Sequence, residues 1–195
     1  MDNDGDLDLF VTKGNVEAMD GYARNDPNEL MLGQPDGTFT NATRAAGLTD
    51  YGRTRGAAVV DLNLDGLVDL VTVERRENAR LWRNVGGGTA RRPAPMGGFI
   101  ALRLRQAGPN PDAIGSRVGV RTPDGTQARE LTVGGGHMSG QLGWVTFGLG
   151  EAPESEVRIQ WPDGEWGPWQ PVVPGTWSII DRGAASPTAW APPAS

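Results

Sequence analysis

The stretch DLNLDGLVDLV (61–71) places Asp61, Asn63, Asp65 and Asp69 within nine positions of a run otherwise made of Leu, Val and one Gly. Apolar neighbours favour burial, whereas carboxylates crowded into one short turn repel each other unless a cation lies between them. In Asp61-x-Asn63-x-Asp65-Gly66-x-x-Asp69 the oxygen donors fall at loop positions 1, 3, 5 and 9. Gly66 at position 6 permits the sharp turn, and the Leu67 carbonyl can add another oxygen. Hard oxygen donors, several carboxylates and a flexible loop suit Ca²⁺ better than Mg²⁺, which holds stricter octahedral geometry and keeps more water. The loop is not of the helix–loop–helix type, because position 12 is Thr72 rather than Glu and the chain runs on into an apolar strand. The competing reading is an Asp/Gly hairpin turn with solvated carboxylates.

A second copy favours the metal. DNDGDLDLFVT (2–12) matches LNLDGLVDLVTV (62–73), with Gly5 aligned on Gly66. Asp2, Asp4 and Asp8 then stand at positions 3, 5 and 9, and Asp6 at the backbone-carbonyl position. Position 1 falls before Met1, so the chain reads as a fragment or as starting at a misassigned residue, the alternative being a natural start with a weakened site. Each loop is followed by a matching hairpin, LMLGQPDGTF (30–39) and LWRNVGGGTA (81–90), and the longer spacing in the first copy places an insertion around 14–28. The ion expected here is structural: it neutralises the carboxylates and pins the turn between strands.

The elements that must position these loops are strands. The chain has 195 residues, 29 of them Gly and 15 Pro, and no cysteine. That removes disulfides, thiolate metal sites and thiol nucleophiles. Short runs such as GAAVV, LVDLVTV, FIALRLR and EVRIQW are separated by Gly, Pro, Asn and Asp, and long 3.6-period apolar stripes are missing. The expected class is all-β, with at most one helical turn near 42–46. No apolar run is long enough to span a bilayer. A net charge of -6 argues against general nucleic-acid binding. Repeated short-strand units predict partial β-propeller blades over 1–84. VGGGTARRPAPMGG reads as a linker (85–98), a β-sandwich-like domain follows over 99–182, and the Ala/Pro/Ser-rich end (183–195) is expected to be disordered.

DNDGDLDLFV, NELMLGQPDGTFTNATRAAGL and GRTRGAAVVDLNLDGLVDLV resemble FG-GAP (VCBS-type) repeats, the calcium-loop blades of integrin-like propellers. The later half is similar to the ASPIC/UnbV domain, on Asn110, DAIGSRV (112–118), Gln127-x-Arg129-Glu130, GGGHMSGQ (134–141), FGLG (147–150) and VRIQWPDG (157–164). His137, Met138 and Gly140 depart from that pattern. The resemblance implies a bacterial secreted, periplasmic or cell-surface protein that binds an extracellular protein or polysaccharide and catalyses nothing.

No catalytic set emerges from the residues. His137 is the only histidine, Ser139 is too close in sequence for a Ser–His pair, and GHMSG does not match G-x-S-x-G. Asp163 and Glu165 lie in a hairpin turn, WPDGEW, and Arg129 and Glu130 read as an exposed ion pair. Trp166 and Trp169, in GEWGPWQP, are candidate stacking platforms for a sugar, whereas Trp161 and Trp177 read as core. The alternatives to an adhesion module are therefore a carbohydrate-binding or carbohydrate-processing accessory module, or the non-catalytic end of a larger enzyme.

Overall fold

The computed structural model describes residues 1–14, 26–94, 96–137 and 140–192. The expected insertion lies largely outside them, as do Met138 and Ser139. Among the described residues there is no helix, and none therefore long and apolar enough to cross a membrane. The chain is all-β. Two three-stranded meanders come first. Strands β1 (Leu9–Val11), β2 (Glu29–Gly33) and β3 (Phe39–Asn41) form one; β4 (Thr54–Val60), β5 (Asp69–Glu74) and β6 (Arg80–Trp82) form the other. Both have the order expected of successive hairpins; the first acidic loop leads into β1, and the second joins β4 to β5. Between them, residues 43–47 make a single turn in which the Ala46 N–H donates to the Ala42 carbonyl, and Gly47 closes it at φ 71°.

Alternation decides what each strand buries. In β5 the residues Leu70, Thr72 and Glu74 point to a closed face, and Val73 to the open one. The first half has a small apolar core of Leu30, Leu48 and Leu70, flanked by Phe10, Leu32 and Trp82.

The second half is a sandwich. One sheet has the order β10 (Val145–Gly150), β7 (Gly98–Arg105), β13 (Thr176–Asp181), β14 (Thr188–Trp190). The other has β12 (Gln170–Val172), β11 (Ser155–Gln160), β8 (Arg117–Thr122), β9 (Gly125–Glu130). All pairings are antiparallel except β7 with β13. Inward residues of both sheets meet in one core: Ile100, Leu102 and Leu104 of β7 and Phe147 of β10 against Val118 and Val120 of β8 and Val157 and Ile159 of β11. Each such side chain contributes about 1.5–3 kcal/mol through burial, which makes this core the main stabilising unit of the chain.

Two expectations change. Residues 183–195 were expected to be disordered, yet β14 extends the sheet there. Trp177 pairs opposite Trp190, and the Trp190 ring lies 5.0 Å from that of Trp144. Two tryptophans supply the apolar area that the Ala/Pro composition hides. Arg129 and Glu130 are not an exposed pair either. As neighbours on a strand they face opposite ways: Arg129 turns inward, donates to the Thr146 carbonyl at 2.8 Å and lies over the Phe147 ring. Gln127, two residues earlier on the same face, donates to the Gly148 carbonyl at 2.7 Å. Because β10 is an edge strand, these carbonyls have no ladder partner. Gln127 and Arg129, spaced i and i+2, thus clip β9 onto the free edge of β10.

Candidate metal centre

The two acidic loops share one backbone shape. Position 4 is left-handed in both, at Asn3 (φ 61°) and Leu64 (φ 59°), and position 6 is a glycine of positive φ, Gly5 (102°) and Gly66 (88°). Left-handed backbone is costly for a residue such as Leu64, so the loop closure must enforce it. The hydrogen bonds repeat as well. The carboxylate at position 5 accepts from the N–H at position 7: Asp4 from Asp6 at 2.9 Å, Asp65 from Leu67 at 3.1 Å. The carboxylate at position 9 accepts from the equivalent residue of the following hairpin: Asp8 from Gly33 at 2.9 Å, Asp69 from Asn84 at 2.8 Å. The second oxygen of Asp69 accepts from the position-2 N–H of Leu62 at 3.1 Å. In the first loop position 2 is Met1. Its amino nitrogen lies against Asp8 Oδ2, a buried oxygen with no other partner.

The remaining donors of the second loop are tied to the loop itself. Asp61 Oδ1 and Oδ2 accept from the N–H groups of Asp65 (3.2 Å) and Gly66 (2.9 Å). Asn63 donates through its side-chain amide to Asp65 Oδ2 at 2.7 Å, so a half-turn of that amide is needed to present its oxygen. Arg83 approaches the same Asp65 oxygen at 3.5 Å. Among the described residues no three His, Cys, Asp or Glu side chains gather into a metal-holding group. What the loop supplies is hard-oxygen chemistry on a closed backbone, with each carboxylate braced by N–H groups.

The electrostatics favour a cation. Burial pushes the Asp61 carboxyl above its usual range, the Asp65 charge adds to this, and hydrogen bonds from Gly66 and Asp65 oppose it. Burial likewise raises Asp4, helped by the charges of Asp2 and Asp6 and opposed by the Asp6 N–H. An ionised carboxylate that is disfavoured by burial and like charge is stabilised by a bound cation. The donor types are those that suit a hard divalent ion, while the carboxylates are not gathered on one point among the described residues. Asp61, Asn63, Asp65, the Leu67 carbonyl and Asp69 would hold it in the second loop, and Asp2, Asp4, the Asp6 carbonyl and Asp8 in the first.

Residues outside the acidic pattern hold these loops in place. Asn84 donates to the carbonyls of Met1 (2.9 Å) and Val68 (3.2 Å), joining the two loops. Its alignment with Gly33 in the repeat is the signal that marks it. The first loop also reaches the sandwich: Gly150 N–H donates to the Asn3 carbonyl at 2.7 Å, and Gly97 N–H to the Asp2 carbonyl at 3.0 Å.

The proposed stacking pair is divided. Trp166 is 43% exposed, with the Arg158 guanidinium 4.5 Å from its ring centre. Trp169 is half-buried over Gly119 of β8, with Arg121 at 4.4 Å. Each indole thus has a guanidinium of its own chain on its ring. Trp161 is in the sandwich core, and Trp177 packs edge-on against Phe99 at 4.9 Å.

No curated protein matches this chain. A crystal structure of a candidate cell adhesion protein from Bacteroides uniformis aligns over 96% of this chain and 92% of that one, at 14% identity. Its TM-score of 0.27 is too low to bear on fold or function. Two family models match along the chain: the FG-GAP-like repeat over residues 1–72, and ASPIC and UnbV over residues 106–186. The chain carries an FG-GAP-like repeat followed by an ASPIC and UnbV domain.

Proposed function

We propose that this chain is a non-catalytic interaction module of a secreted, periplasmic or cell-surface protein, with Ca²⁺ stiffening the blades at their acidic loops. Repeats and domains of these two kinds fit an extracellular interaction module. The observation that carries the calcium reading is the coincidence of the two loops. Left-handed residues at Asn3 and Leu64, glycines at Gly5 and Gly66, and the same position-5 and position-9 hydrogen bonds recur in each. A solvated turn does not require two copies to share a strained residue. Calcium bound there ties each loop to the strand that follows and lowers the repulsion among its carboxylates, at affinities on the order of 0.1–1 mM or tighter. The partner is an extracellular protein or a polysaccharide.

Thermal unfolding in Ca²⁺, Mg²⁺ and EDTA tests this reading, with Asp65→Ala as control. Ligand linkage requires the midpoint to rise with Ca²⁺ concentration, less with Mg²⁺, and the gain to shrink in Asp65→Ala. A cooperative transition indifferent to all three conditions would mean that the loops are polar turns.

A further inference from the structure

A cavity of about 350 Å³ lies between the first acidic loop and the sandwich. Asp6 and Asp8 border it from the loop side, and Arg129, Glu130, Trp144 and Thr146 from the sandwich side. Cavities of roughly 300–1,000 Å³ are where small ligands are held. Gln141, also on its wall, fastens the two sides together. Its side chain accepts from the Val59 N–H at 3.0 Å and donates back to the Val59 carbonyl.

Arg129 has donors to spare. A guanidinium carries five N–H donors, and among the described residues Arg129 makes one hydrogen bond, to the Thr146 carbonyl at 2.8 Å. Burial lowers its pKa from the ordinary value, and no carboxylate works against that. Asp8 is already held by the Gly33 N–H and the Met1 amino group. Glu130 is exposed and lies on the opposite face of β9 from Arg129. An incoming carboxylate would offset the hydration that Arg129 has lost and take two of its N–H groups at once. Asp6, on the facing wall, disfavours a second negative charge there and suits a ligand with hydroxyls at its other end.

Trp144 supplies the third element. Strand alternation sends residues 144 and 146 to one side, away from the sandwich core that Val145 and Phe147 join. The Trp144 side chain is half-buried and braced by Trp190, with ring centres 5.0 Å apart. An indole held in this way is a flat, rigid platform with an apolar face. We infer that this cavity binds a uronic acid residue of a polysaccharide, its carboxylate on Arg129, its ring against Trp144 and its hydroxyls toward Asp6. A neutral sugar leaves Arg129 without an anion, and an acidic peptide brings a carboxylate but no hydroxyls for Asp6. The inference deepens the interaction-module reading and rests on it for the partner being a polysaccharide. It does not need the acidic loops to hold calcium.

The test titrates the full chain with short oligomers of galacturonate, glucuronate and mannuronate, followed by calorimetry and tryptophan fluorescence. At least one should bind and change the indole emission. Its methyl ester, which keeps the ring and loses the charge, should bind about tenfold or more weakly. Arg129→Gln should weaken the acid to the same degree and leave the ester unchanged, a split that a general loss of structure does not produce. Where Arg129→Gln fails to fold, the acid-against-ester comparison in the unmodified chain decides alone. Equal binding of acid and ester overturns the site, as does binding of none of the three acids. N-acetylglutamate amide binding as tightly as the sugar acid overturns the sugar and points to an acidic peptide. A chain that ignores Ca²⁺ yet binds uronate keeps this site and loses only the loop reading. A chain that responds to Ca²⁺ yet binds no uronate loses this site alone.

Discussion

Asn3 of the first acidic loop donates its side-chain amide to the Gly66 carbonyl of the second at 2.9 Å, and the same residue's carbonyl accepts from Gly150 of the sandwich at 2.7 Å. One buried residue thus joins both repeats and the following domain. Gly66 is itself pressed against the ring of Phe99, at the start of β7. The acidic loops are therefore the mechanical joint between the two halves of the chain, and whatever stiffens the loops stiffens that joint.

Asn3→Ala should lower stability by about 1–3 kcal/mol, because it leaves the buried Gly66 carbonyl without a donor and puts a Cβ-bearing residue of lower left-handed tolerance at φ 61°. Asn3→Gly relieves the backbone cost and keeps the hydrogen-bond loss, so it separates the two. Urea unfolding of both variants is the measurement. Equal stability of Asn3→Ala and the unmodified chain would show that this joint carries no load.

Gly66→Ala should be more damaging than Gly37→Ala, although both residues have positive φ, at 88° and 80°. Nothing lies within 4 Å of a Cβ at position 37, so that variant carries only backbone strain, about 1–2 kcal/mol. At position 66 the Cβ would stand 2.1 Å from the Phe99 ring, adding an overpacking cost of about 1–3 kcal/mol. Phe99→Leu in the Gly66→Ala background should recover part of the loss. If it recovers none, the ring is not the obstacle.

Much of this was legible in the residues. The position-9 aspartates and the paired glycines lie within a few positions of each other, where spacing alone fixes geometry. The all-β class followed from alternation and turn residues in the same way. What was hidden depends on pairs far apart in the chain. No local pattern marks Asn3 as a bridge to Gly66 and Gly150, or shows that Gln127 and Arg129 cap an edge strand some 20 residues away. Arg129 and Glu130 are adjacent in sequence, but alternation along β9 turns them to opposite faces. β14 was missed because composition averages over Ala and Pro, while a single tryptophan pair decides whether the segment docks.

Asp69 and Asp65 should respond differently to neutralisation. Asp69 is 3% exposed and accepts two backbone N–H groups, from Leu62 and Asn84. Asp69→Asn puts an NH₂ where one of those donors points, so it should cost about 1–3 kcal/mol even in EDTA. Asp65 is more open, and Asp65→Asn should alter stability little in EDTA while weakening the response to Ca²⁺. Paired denaturation curves with and without Ca²⁺ read both effects. An Asp69→Asn protein as stable as the parent in EDTA would remove the structural role assigned to this carboxylate.

Arg105 and Asp181 offer a pH test away from the loops. They are cross-strand neighbours in the parallel β7–β13 pair, joined by two hydrogen bonds, Nε to Oδ1 at 2.8 Å and a terminal nitrogen to Oδ2 at 2.7 Å. These bonds, aided by the guanidinium charge, hold the Asp181 carboxyl below its usual range. A carboxyl depressed in the folded state adds stability that is fully present above its unfolded pKa of about 3.9 and is lost as pH falls through the lower folded value. Both side chains are exposed, so the contribution is small and shrinks with salt. In Arg105→Gln the Asp181 titration midpoint, followed by carboxyl-carbon NMR, should move up. The stability gap between variant and parent should also close below the folded pKa. A midpoint that stays in place would show that the bridge does not persist in solution.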